Sequence, residues 1–323
     1  MFAMKTRVIC AILMWGHLAA WPQVSKPLPP SQSSAAPSET RVPIGGAELY
    51  ARDIGQGTAI IVLHGGPDFD HSYLLPELDR LSDSFRLIYY DQRGRGRSAA
   101  GVKPEDVTLA SDLEDIDKVR QYFHLDSVVL LGHSWGTLLA LEYALRYPQH
   151  VSRLILVNPA PASAADYQQL RKEWLEKRAD AVEGKKAIAA GPEYKEGDPA
   201  AVTAYYRIHF KPAFARSENY EKFLTRLSAS FTKEGILKAR AIENRLEGET
   251  WLSPNYDPLL KLKSLTVPAL VISGDHEFIP ASTAEHISQA IPKAHLVVLK
   301  DCGHFTYMEC PAAFREQIDA FFR

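Results

Sequence analysis

Ser127-Val128-Val129-Leu130-Leu131-Gly132-His133-Ser134-Trp135-Gly136-Thr137-Leu138-Leu139 is the stretch from which the rest of the chain can be read. Its first half is dense in Val and Leu, as a strand buried on both faces should be. After Trp135, Leu138, Leu139, Leu141, Tyr143, Ala144 and Leu145 follow a helical rhythm that Tyr147-Pro148 stops. A G-x-S-x-G pentapeptide between a strand and a helix holds its serine on a sharp turn with the hydroxyl exposed. Such a turn needs residues without bulk, which Gly132 and Gly136 supply. Ser134 is therefore the candidate nucleophile.

Outward from this turn, further apolar runs at 59–63, 86–90, 154–158, 269–273 and 295–299 alternate with helical stretches. That alternation predicts an α/β fold, a mostly parallel sheet flanked by helices. Between 161 and 258 the rhythm breaks, and Tyr, Trp, Arg, Lys and Glu at helical spacing replace it. We read 44–160 and 259–323 as the core and 161–258 as an inserted helical cap overhanging the carboxyl ends of the strands, where open α/β sheets bind ligands.

A serine hydroxyl needs a histidine to take its proton and a carboxylate to hold that histidine in the right tautomer. His304, in Asp301-Cys302-Gly303-His304-Phe305, follows the last predicted strand, and Asp275 follows the one before it. The order Ser134, Asp275, His304 is the one expected for this arrangement, with Glu277 as the fallback acid. The oxyanion formed during acyl transfer needs two donors. One is the Trp135 amide, and the other comes from His64-Gly65-Gly66-Pro67, where Gly66 is favoured and Gly65 stands close behind. Asp91-Gln92-Arg93-Gly94-Arg95-Gly96-Arg97-Ser98 lacks the Lys-Ser/Thr ending of a phosphate-binding loop and reads as a structural turn near the floor of the site.

Composition narrows the partners. The chain has 323 residues, 46% hydrophobic and 24% charged, with a formal net charge of -2, so it can bury a large core. Its Lys and Arg are scattered among acids, which argues against nucleic acid. Lys5 and Arg7 ahead of the apolar run 8–15, with Ala19 and Ala20 behind, read as an export signal over 1–22. The run is too short for a bilayer span of about 18–20 residues, so no stable membrane insertion is expected. Residues 23–43, rich in Pro, Ser and Ala, read as a flexible linker. Cys302 and Cys310 would remain in the mature chain, either as a disulfide or as two buried thiols.

His64-Gly65-Gly66-Pro67, Asp91-Gln92-Arg93-Gly94 with Gly96-Arg97-Ser98, and Ser134-Trp135-Gly136 together resemble motifs of the proline iminopeptidase group of the α/β-hydrolase fold. The resemblance covers residues 42–323 and is strongest outside the cap. It implies release of N-terminal residues, often proline, from short peptides through an acyl-enzyme, without metal or cofactor. It also implies that cap carboxylates bind the substrate's free amine. Ala241-Ile242-Glu243-Asn244 looks like the family's Ile-Glu-Asn element, which makes Glu243 the candidate anchor, set against an ordinary solvated helix glutamate; Glu247 or Glu249 would be a second acid. Two residues depart from the pattern: Asp68 and His133 stand where the group commonly has glycine. The first reading is an exported aminopeptidase, and the alternative is a carboxylesterase or lactonase acting on small acyl esters with the same triad.

Overall fold

Eight strands in the order β1-β2-β4-β3-β5-β6-β7-β8 form one sheet in the computed structural model, which describes residues 36–323. The strands are β1 Ser38–Pro43, β2 Glu48–Ile54, β3 Thr58–Leu63, β4 Phe85–Tyr90, β5 Val128–His133, β6 Val151–Val157, β7 Ala269–Gly274 and β8 Ala294–Leu299. Strands β3 to β8 pair in parallel, whereas β1 and β2 form an antiparallel edge on β4. Every residue of β5 and β7 is buried. Neighbouring residues of β3 feed opposite cores, Ile61 and Leu63 one and Ile60 and Val62 the other, as the two-residue period of a strand requires.

The export signal expected over 1–22 lies outside the described residues. The linker expected over 23–43 is corrected at its end, because Ser38–Pro43 is a strand registered on β2, with Val42 opposite Leu49. Only Val42 of its six residues is buried, so the stretch carries no apolar alternation to betray it.

Helices α1 Leu109–Tyr122 and α2 Trp135–Arg146 lie among the first strands. Between β6 and β7 the chain runs through α3 Ala164–Lys177, α4 Ala179–Ala190, α5 Pro192–Lys195, α6 Pro199–Phe210, α7 Ser217–Ser228 and α8 Lys233–Glu249. Side-chain caps from Ser163, Asp198 and Thr232 start α3, α6 and α8. Helix α7 buries Tyr220, Phe223, Leu224 and Leu227, one stripe at i, i+3, i+4 and i+7. Short α9 Leu259–Leu262, then α10 Ala281–Ala290, α11 Thr306–Glu309 and α12 Pro311–Phe322 complete the chain. Trp251, just beyond α8, packs edge-on against Trp135 at 5.2 Å, which seats the helical insertion on the start of α2. Among the described residues, no helix is long and apolar enough to cross a membrane.

Candidate active site

Ser134 sits between β5 and α2 at φ 51° and ψ -119°, a strained backbone that the tight turn imposes. A Cβ at Gly132 would lie 2.3 Å from the Gly136 carbonyl oxygen, and one at Gly136 would lie 2.1 Å from that of Leu63, so neither position tolerates a side chain. The turn is locked by Ser134 N–H donating to Val157 O (3.1 Å) and by Thr137 Oγ1 donating to Ser134 O (2.7 Å). Ser134 and His304 line the same cavity, of about 730 Å³, between the sheet and the helical insertion.

The acid differs from the sequence expectation. His304 Nδ1 bonds Glu277 Oε1 at 2.8 Å, and the two side chains are only 2% and 6% exposed. Asp275 is 35% exposed and pairs instead with His276 Nδ1 (2.8 Å) and Cys302 N (3.2 Å). After Gly274 the chain turns outward for two residues and folds back at Glu277, whose Oε1 also accepts the amides of Phe278 and Ile279 (2.8 and 3.2 Å). Asn158 Nδ2 donates to Glu277 Oε2 (2.7 Å) and to Gly303 O (3.1 Å), tying β6's end to both acid and base loops. Sequence reasoning missed Asn158. With Nδ1 on the carboxylate, His304 has Nε2 left to receive a proton.

Two candidate donors for the oxyanion lie close to Ser134: Trp135 follows it in the chain, and a Cβ on Gly65 would lie 3.1 Å from the Ser134 Cβ. Trp135 N–H opens α2 and has no intrahelical acceptor. Of the two glycines, Gly65 donates its N–H to Tyr73 Oη (2.7 Å), which leaves Gly66, at φ 124°, as the better second donor. Tyr73 Oη in turn donates to His133 Nδ1 (2.8 Å), and His133 Nε2–H donates to His304 O (2.9 Å). Burial, aided by His304, holds His133 well below the usual imidazole range, so this neutral tautomer is the stable one. His133, a departure in the motif, thus joins the loop of Gly65 to that of His304. The Asp91–Ser98 turn supports the same loop: Gln92 bonds His64 through N–H to Nε2 (3.0 Å), and Arg95 Nε donates to Pro67 O (2.9 Å).

The helical insertion contributes charge. Glu243 and Glu247, four apart on one face of α8, line the cavity together with Asp68, which accepts the Tyr206 hydroxyl. Burial, then the repulsion of Asp68 and Glu247, pushes the Glu243 carboxyl well above its usual range; burial also raises Asp68 and Glu247. Glu249, the other acid weighed, instead accepts Leu109 N–H (2.8 Å). Cys302 and Cys310 are bridged, with Cα atoms 6.2 Å apart, and bracket His304.

A carboxylate-held imidazole and a serine on an elbow turn at one cavity, with the Gly66 and Trp135 amides as candidate donors, suit acyl transfer to water. The chain is similar to several characterised hydrolases. A proline iminopeptidase of Heyndrickxia coagulans is 30% identical over 275 residues, 83% of this chain and 91% of its own. Among solved structures, a proline iminopeptidase of Mycobacterium smegmatis superposes with a TM-score of 0.65 at 22% identity, covering 88% of this chain and 97% of its own. Est816, described as an N-acyl homoserine lactone degrading enzyme, gives 0.64 at 19% identity, covering 87% and 100%; both likenesses speak for the fold alone. The family model described as alpha/beta hydrolase fold matches residues 58–311, and the chain accordingly belongs to the α/β-hydrolases as a proline iminopeptidase-like hydrolase.

Proposed function

We propose that the protein is a serine aminopeptidase that removes the N-terminal residue of small peptides, with Ser134 as nucleophile, His304 as base and Glu277 as the acid that orients it. Ser134 Oγ attacks the scissile carbonyl while its proton passes to His304 Nε2, and the oxyanion is held by the amides of Gly66 and Trp135. His304 then gives that proton to the leaving amine as the C–N bond breaks. Water, deprotonated by the same nitrogen, cleaves the acyl-enzyme and restores Ser134.

The observation that carries the peptidase reading is the convergence of Asp68, Glu243 and Glu247 on the cavity that contains Ser134 and His304. Three carboxylates crowded in a half-buried wall repel one another, and a substrate ammonium entering among them would relieve that repulsion. A simple acyl ester brings no such cation. The Cys302–Cys310 bridge is of the kind that persists in oxidising compartments and supports export.

The test compares rates on prolyl and alanyl arylamides, an N-acetylprolyl arylamide and a short-chain aryl ester. Cleavage of the free-amine arylamides that acetylation abolishes, together with loss of activity by about 10³-fold or more in Ser134→Ala, is the expected result. Ester cleavage alone would move the protein to the carboxylesterase or lactonase reading.

A further inference from the structure

The cavity that holds those acids also holds a cation that pairs with no anion among the described residues. Lys185 of α4 lines the cavity beside Ser134 and His304. Its Nζ donates to His209 Nδ1 (3.1 Å) and lies 4.2 Å from the centre of the Trp174 ring and 5.6 Å from that of Tyr205. Among the described residues it makes no ion pair, in contrast to its neighbour Lys186, which is exposed and pairs with Glu183 at 2.8 Å. Lys186 and Arg171 line the cavity too, and Arg171 is exposed and faces Glu247. Burial lowers the Lys185 ammonium to about 8, so at neutral pH it stays charged while poorly solvated. His209, held well below its usual range by burial, then Lys185 and His304, is neutral and can only accept from it. One of the three ammonium N–H donors is thus used, and two remain for a ligand.

We propose that Lys185 binds the terminal carboxylate of the substrate, so that the cavity takes short peptides with both ends free; this deepens the aminopeptidase reading and rests on it. Consecutive tyrosines of α6 bridge the two poles: the Tyr205 ring flanks Lys185, the Tyr206 hydroxyl bonds Asp68, and their ring centres are 5.7 Å apart. A di- or tripeptide, at ~3.3–3.6 Å per residue, is the substrate length the proposal assigns to the cavity. The base adjoins the Lys185 end of the cavity, since Phe278 packs on His304 (4.7 Å) and also on Trp174 (5.8 Å) and His209 (5.7 Å), the two residues that flank Lys185. The amine would settle among Asp68, Glu243 and Glu247, the carboxylate on Lys185, and the scissile carbonyl at Ser134.

The experiment measures kcat/KM of the full chain on prolyl-alanine, prolyl-alanine amide and prolyl arylamide, for the parent, Lys185→Met and Lys185→Arg. In the parent the free acid should exceed its amide by about 10-fold, mainly through KM. In Lys185→Met the acid-to-amide ratio should collapse to about 1, and Lys185→Arg, which keeps the charge, should retain most of it. A parent indifferent to the free carboxylate, or an unchanged ratio in Lys185→Met, overturns the proposal while arylamide cleavage leaves the aminopeptidase standing. A parent that cleaves none of the three overturns both. Since the ratio in the parent already decides, a variant that failed to fold would not rescue the idea.

Discussion

At the scale of single residues, the assignment that changes most is the acid. Asp275 occupies the strand-end position that a reading by order selects, yet β7 ends at Gly274 and the chain turns so that Asp275 and His276 face solvent. Glu277 has a longer side chain and a carboxylate fully engaged by Phe278, Ile279, Asn158 and His304. Glu277→Gln removes the negative charge that stabilises the imidazolium and sets its NH₂ against the Asn158 amide or against the three donors at Oε1. We expect kcat to fall by about 10³–10⁴-fold, and Asp275→Asn to stay within about threefold of the parent. Steady-state kinetics on both variants decide, and the opposite ranking would return the role to Asp275. The sequence held Glu277 only as a fallback because residue spacing counts positions along a strand, while the reversal after Gly274 is set by contacts. A Cβ there would lie 2.0 Å from the Cys302 carbonyl oxygen.

At the scale of elements, what could be read depended on burial. The six buried or half-buried runs from β3 to β8 announce themselves as apolar segments, and each observed strand overlaps its predicted one, with edges displaced by up to three residues. The β1–β2 edge escaped, since an edge strand with one buried residue leaves no pattern. Turns and motifs carry local constraints, so the sequence could point to Ser134, His304, Gly66 and Glu243, which line one cavity, whereas Asn158 and Tyr73 act through contacts far apart in sequence. Tyr73 is the clearest case. Its ring packs on Phe69, Phe223 and Phe305, while its hydroxyl joins the Gly65 amide to His133. Tyr73→Phe keeps the ring and orphans two buried groups, at about 1–3 kcal/mol each. The expected outcome is a stability loss of about 2–6 kcal/mol in denaturant titration, with kcat lowered by about 10-fold as the oxyanion loop loosens. Lost stability with kcat intact would limit Tyr73 to a structural role.

At the scale of the molecule, the helical insertion and the base loop are joined at one buried side chain. Glu309 of α11 is 2% exposed and accepts three backbone amides: Gly303 (2.6 Å) in the base loop, and Ala215 (3.2 Å) and Arg216 (2.8 Å) ahead of α7. The two segments also meet directly, through His304 N–H to Ala213 O at 2.7 Å, and a Cβ at Gly303 would lie 2.2 Å from that same oxygen. Any shift of the segment ahead of α7 is therefore felt one residue from the imidazole, and the contacts predict that the helical insertion with Glu243, Glu247 and Lys185 moves as one unit with the base. Glu309→Ala strips a charge-accepted bond from each amide at once, and the destabilisation should be at least about 3 kcal/mol. Hydrogen exchange resolves how it is distributed. If insertion and base loop form one unit, the amides of Gly303, Ala215 and Arg216 lose protection together and kcat falls with them. Protection lost at Gly303 while Ala215 and Arg216 stay closed would mean that the insertion is anchored elsewhere, through Trp251 on Trp135, and moves independently of the base.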